Sequence, residues 1–358
     1  MNPSAKVLAF LLLLASVPAV AWADGDRASG RNAAHKFATL PEGVRFPEGI
    51  AANPANGDIY VATFDFSAPN KLLRYNRNGS LIAERDFGSE PLLGLAFRDG
   101  HVYIANAGNL AGIGPARIQR IAANFDSASP VGNVALIPVI GAPADRQEGN
   151  PDGSSDTIIF GANAPAPNAM AFDASGNLYV SDSFQGAIFR IANATTCAIP
   201  CPAVAVIQHP LLATAGFPPF GANGLALNGA GTQLFIANTG DDRVLRLHLA
   251  SNDLRVFTES INGADGIAFD RSGRLWVAAN QNDEIVAVNA SGRVIMRLGA
   301  FQGIEKDGSP DGLLFPASVV IVGDEMFVTN LALPLNGVDG DETEEQVSRW
   351  TISRIKLP

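Results

Sequence analysis

An all-β fold, a six-bladed β-propeller, is predicted for this 358-residue chain by three observations. A segment of two short apolar strands joined by a tight turn recurs along the chain, it recurs six times, and no stretch carries the 3.6-residue periodicity of a long helix. Three copies are plain: NAMAFDASGNLYVSDSFQGAIFRI from Asn168, NGLALNGAGTQLFIANTGDDRVLRL from Asn223 and DGIAFDRSGRLWVAANQNDEIVAV from Asp265. Fainter copies start at Glu48, Leu93 and Ala317, with spacings of 45, 75, 55, 42 and 52 residues between successive starts. Such spacings suit four-stranded units with variable loops, and units of that kind arranged radially make a propeller.

The chain opens on an export signal. Lys6 precedes an apolar run from Val7 to Val20, and Ala21-Trp22-Ala23 offers a small-residue cleavage site before Asp24. Residues 1–23 are thus expected as a signal peptide and 24–358 as one propeller domain in the periplasm or secreted; an uncleaved anchor is the rival reading. Removing the leader takes one Lys and no acid, so the formal charge moves from −10 to −11. That balance provides no electrostatic footprint for nucleic acid. No later stretch reaches the ~18 apolar residues of a membrane span. A monomer is the expected state.

Within each copy the strand pairs follow from alternation and turn chemistry. Leu178-Tyr179-Val180, Leu234-Phe235-Ile236 and Leu275-Trp276-Val277 are preceded by turns such as Ser175-Gly176-Asn177 and Ser272-Gly273-Arg274, and a third strand such as Ile188 to Ile191 follows. Closing the ring needs both chain ends in one blade, and His35 to Leu40 can supply the outer strand beside Trp350 to Leu357. The Pro, Gly and Asp-rich stretch from Pro143 to Pro167 and the acidic insert Val338 to Gln346 read as loops. Cys197 and Cys201 stand in the loop-like TTCAIPCP, where an exported chain is expected to pair them; free thiols are the alternative.

One column of the repeat departs from structural need. The position that opens each copy reads Glu48, Leu93, Asn168, Asn223, Asp265 and Ala317, so four of six are oxygen donors. Innermost strands start near the axis, so these groups would meet at one axial spot. Two carboxylates and two amides form a hard-cation set that suits calcium best and magnesium second. Zinc would ask for His or Cys, which the column lacks. The plain structural alternative is that each side chain caps a strand end through an Asx-type turn. Phe217-Pro218-Pro219-Phe220, just before Asn223, offers Phe217 and Phe220 as walls of an apolar pocket or as packing within a loop.

The column, the copies ANGLAL and ADGIAFDRSGRLWVA and the early PEGI together resemble the family of senescence marker protein 30, gluconolactonase and the squid-type organophosphate hydrolase. The resemblance covers essentially the whole mature chain. It implies a six-bladed propeller that binds calcium through a Glu, two Asn and an Asp, matched here by Glu48, Asn168, Asn223 and Asp265. It also implies a small-molecule lactone, ester or phosphotriester substrate, with Asp265 as base or nucleophile. Sugar-lactone members resemble RxND in the third blade, whereas this chain reads Ala166-Pro167-Asn168-Ala169. The Arg that would hold sugar hydroxyls is absent there, which argues against a sugar acid lactone. The linkers GNPDGSSDTIIFGANAPAPN and KDGSPDGLLFP look like those of NHL-repeat propellers, many of which bind partners and catalyse nothing, and a non-catalytic binding propeller is the alternative function.

Other chemistry finds little support. His101 and His248 sit in strand patterns as structural histidines, and no GxSxG, HExxH or phosphate-cradling loop occurs. The run Asp339-Gly340-Asp341-Glu342 lacks the spacing of an EF-hand loop and reads as a solvated acidic face.

Overall fold

Aromatic residues at one position of the repeat show why the blades stack. Each second strand carries one, namely Tyr60, Tyr103, Tyr179, Phe235, Trp276 and Phe327, and all six are buried between aliphatic neighbours. Rings of this size each remove about 150–250 Å² from water, which makes them the main apolar contribution of a blade. Two of their polar ends find partners: Tyr60 donates to the Ala123 carbonyl at 3.0 Å, and Trp276 donates to Asp270 at 2.8 Å.

The computed structural model describes residues 33–336 and 340–358. The leader at 1–23 lies outside the described residues, as do Val338 and Asp339 of the acidic insert. The described chain forms six four-stranded antiparallel sheets, and its helical pieces are 3-10 turns of three or four residues. No described helix is long and apolar enough to cross a membrane. The innermost strands, taken as blades one to six, are Pro47–Ala52, Leu92–Arg98, Pro167–Phe172, Ala222–Leu227, Ala264–Phe269 and Pro316–Val322. Each lies against the inner strands on either side and the sixth returns to the first, so the ring is closed. Closure comes from His35–Thr39 pairing with Thr351–Lys356 as the outer strand of blade six, as the sequence leads one to expect.

The inner strands share an irregularity that sets up the site. In all six, the register to the second strand slips between the first and fourth residues. The second residue of each is the repeat column from Glu48 to Ala317. A bulge re-aims a side chain that strict alternation would send to a sheet face, and here it falls on the column every time. The next residue is Gly, Ala or Ser because neighbouring blades nearly touch there. A Cβ on Gly49 would stand 2.2 Å from the Leu93 carbonyl oxygen, and one on Gly224 would stand 2.2 Å from that of Asp265.

Three features differ from the sequence expectation or complete it. The stretch from Pro143 to Pro167 is not loop throughout: Arg146–Gly149 pairs with Ser155–Ile158 as an exposed hairpin. Its strands are four residues each and turn through Asn150 to Ser154, where Gly153 takes a left-handed φ of 85°. A second small hairpin, Phe301–Ile304 with Pro310–Gly312, uses a similar turn at Gly308. Cys197 and Cys201 form a disulfide with 5.8 Å between their Cα atoms.

Candidate active site

Glu48, Asn168, Asn223 and Asp265 are all buried, and all four line one axial cavity of about 40 Å³. Its enclosed part has room for an ion and a few small groups, and the space continues toward solvent, about 390 Å³ in all. Leu93 of the column also lines it, as do Phe220, Thr239 and Asn280. Phe217 is not among the lining residues, and its side chain is 60% exposed. His101 and His248 are not among the lining residues either; their ring nitrogens contact Asp99 and Ser251.

A second column completes the site. The residue just past each second strand, fourteen to sixteen positions after the first column, reads Phe64, Ala107, Ser183, Thr239, Asn280 and Leu331. Polar members occur in blades three, four and five, and apolar ones in one, two and six. Ser183 and Thr239 orient the two asparagines. Asn168 Nδ2 donates to Ser183 Oγ at 3.2 Å, and Asn223 Nδ2 donates to Thr239 Oγ1 at 3.0 Å. Each hydroxyl spends its single proton on a backbone carbonyl, Ser183 on Ala222 at 2.7 Å and Thr239 on Ala264 at 2.8 Å. A hydroxyl so committed can only accept from the amide, so it selects the nitrogen and leaves each asparagine oxygen as the free end.

Asp265 is held differently. Asn280 Nδ2 donates to Asp265 Oδ2 at 3.0 Å, while Asp265 Oδ1 has no hydrogen-bond partner. Five buried side-chain polar atoms lack a partner among the described residues, and three of them are oxygens of this cavity: Glu48 Oε2, Asp265 Oδ1 and Asn280 Oδ1. An unsatisfied buried polar group costs about 1–3 kcal/mol, and more when charged. No Lys, Arg or His lines the cavity to compensate its two carboxylates. Burial, and then repulsion from Asp265, push Glu48 well above the usual carboxylate range. Burial raises Asp265 to about 7 against the opposing pull of the Asn280 and Asn223 amides.

Strand-end capping is done by other residues. Asp182 Oδ1 accepts from the backbone of Ala166, Phe184 and Gln185, Asn106 accepts from Gly108, and Asn330 from Leu314. No first-column side chain accepts a backbone N–H among the described residues. Two carboxylates and two amides with unpartnered or free oxygens, no cationic neighbour and no sulfur or imidazole are the chemistry a hard divalent cation requires. The residues therefore fit such an ion.

Residues 219–300 match the SMP-30/Gluconolactonase/LRE-like region, a stretch that holds blades four and five with Asn223, Thr239, Asp265 and Asn280. No curated protein matches the chain in sequence. Among solved structures, the chain is similar to a luciferin-regenerating enzyme at TM-score 0.59 and 14% identity, over 88% of this chain and 92% of that one. It is also similar to regucalcin, a calcium-binding protein from Agrobacterium tumefaciens, at TM-score 0.57 and 14% identity, over 90% of this chain and 96% of that one. A gluconolactonase from Xanthomonas campestris aligns at TM-score 0.56 and 13% identity, over 89% of this chain and 88% of that one. At such identities the likeness is one of fold. The chain is thus a six-bladed propeller similar in fold to a regucalcin and a gluconolactonase, and its residues 219–300 match the SMP-30/Gluconolactonase/LRE-like region.

Proposed function

We propose that this protein is a calcium-dependent hydrolase of lactones or related esters that acts in the periplasm or after secretion. The observation that carries the proposal is Asp265, with one oxygen held by Asn280 and the other unpartnered in a cavity shared with Glu48. Glu48, Asn168, Asn223 and Asp265 would hold the ion, and Asn280 would orient the Asp265 carboxylate. Calcium suits this set before magnesium, because it accepts 6–8 oxygen ligands whereas magnesium keeps much of its water. When bound, the ion supplies Lewis-acid polarisation of the ester carbonyl and offsets the charge of the two carboxylates. The fold likeness to a gluconolactonase and a calcium-binding regucalcin supports the same reading.

Asp265 acts as base or nucleophile. As base, it takes a proton from water while the water oxygen bonds to the acyl carbon. The carbon–oxygen ester bond then breaks and the proton passes to the departing alkoxide, giving an acid and an alcohol. As nucleophile, its oxygen bonds to the acyl carbon, the carbon–oxygen ester bond breaks and the departing alkoxide takes a proton from water; water then hydrolyses the acyl-enzyme anhydride, releasing the acid and returning the carboxylate. Export is supported by the leader sequence and by the Cys197–Cys201 disulfide, which an oxidising compartment maintains.

The test is a panel of lactones, esters and phosphotriesters with metal-stripped and calcium-reloaded protein, wild type and Asp265→Asn. The proposal expects calcium-dependent turnover that falls at least ~100-fold in the variant, the scale of a general base. A reloaded wild type that binds calcium but is inert across the panel would point instead to a binding propeller.

A further inference from the structure

We propose that the cavity selects lactones or esters whose substituent is uncharged and apolar. This rests on the hydrolase reading above and narrows it to a substrate class. The cavity is divided. Glu48 of blade one and the side chains of blades three to five supply its polar groups, and the remaining wall is apolar, with Phe64, Phe220, Phe315, Leu331, Leu333 and Leu335 in it. The polar groups are already committed: Thr239 accepts from Asn223 and donates to Ala264, Asn280 donates to Asp265, and the other oxygens form the cation set. Away from that polar side the described lining residues are all apolar, and none is a Lys, Arg or His that would pair with an anionic substrate.

The aromatic wall also reaches solvent. Phe66 is 58% exposed and packs edge-on against Phe64 with ring centres 5.0 Å apart. Phe64 meets Phe220 edge-on at 6.3 Å. These contacts link the exposed Phe66 to Phe64 and Phe220, which line the cavity that also holds the carboxylates. A polyhydroxylated lactone entering along these rings would lose water at each hydroxyl without regaining a bond, which costs free energy at every group. An alkyl chain would gain from the same surface.

The test compares δ-lactones bearing alkyl chains of increasing length with a polyhydroxylated sugar lactone, using calcium-loaded full-length protein. A parallel series of non-hydrolysable lactams of the same shapes is measured by calorimetry. The expected result is a rise of about fourfold in kcat/KM or in lactam affinity for each of the first few methylenes, the equivalent of burying one CH₂. The longest alkyl lactone should exceed the sugar lactone by at least ~100-fold, the discrimination an apolar pocket exerts against hydroxyl-bearing analogues. Phe220→Ala should flatten the chain-length dependence, and a folded Phe220→Leu should retain part of it. Preference for the sugar lactone, or a flat dependence in both series, overturns the inference and leaves the hydrolase reading standing. Alkyl lactams that bind with the expected trend while no lactone is hydrolysed would uphold the apolar class and sink the hydrolase. Binding of neither lactam type overturns the inference.

Discussion

Asn280 donates to one carboxylate oxygen of Asp265 at 3.0 Å, and the other oxygen of that carboxylate is buried without a partner. The amide thereby fixes which oxygen is available to an ion, a proton or an acyl carbon. A donor to the ionised form also favours it, which opposes the effect of burial on Asp265.

Removing that donor has a signed consequence. Burial raises Asp265 and the Asn280 amide lowers it, so Asn280→Ala should raise it further. Activity requires the ionised carboxylate, and the acid limb of the kcat/KM profile should therefore move to higher pH. Measured at saturating calcium, an acid limb that stays in place would refute the positioning role of Asn280.

Thr239 is expected to control the ion through Asn223. Calcium at a hundredfold excess over its dissociation constant should stabilise the wild type by about 2.7 kcal/mol. Thr239→Val removes the hydroxyl that accepts from Asn223 Nδ2 and frees the amide to turn. The melting-temperature gain on adding calcium should shrink in Thr239→Val and be retained in Thr239→Ser. An undiminished gain in the Val variant would mean that the amide's orientation does not depend on this bond.

The Cys197–Cys201 bridge closes a very short loop, so its contribution to stability should be about 2 kcal/mol or less. Denaturant unfolding of the Cys197→Ser, Cys201→Ser double variant measures it. Mass spectrometry of alkylated, unreduced protein from its native compartment checks the bridge itself, and two alkylated thiols would refute it.

Much of this was legible in the sequence because a repeat superimposes equivalent positions. The aromatic in Leu275-Trp276-Val277 and its counterparts marks the second strands, and the residues from Glu48 to Ala317 stand out as one column. The second column was equally regular but hid in plain composition, since Ser183, Thr239 and Asn280 at strand ends look like ordinary turn residues. Only the pairing of Asn168 with Ser183 and of Asn223 with Thr239 shows their use. Phe217 and Phe220 lie three apart across two prolines, and no periodicity distinguishes the ring that faces the cavity from the one that faces water. The hairpin at Arg146–Ile158 was obscured because four-residue strands carry too little pattern among Pro, Gly and Asp.

The central claim is that one divalent cation sits between Glu48 and Asp265, and calorimetric titration of the metal-stripped chain with calcium tests it most directly. The account predicts one calcium per chain, bound more weakly in Glu48→Gln and in Asp265→Asn. A folded wild-type chain that takes up no calcium, or uptake that is unchanged when Glu48 and Asp265 are both replaced by Ala, would contradict it.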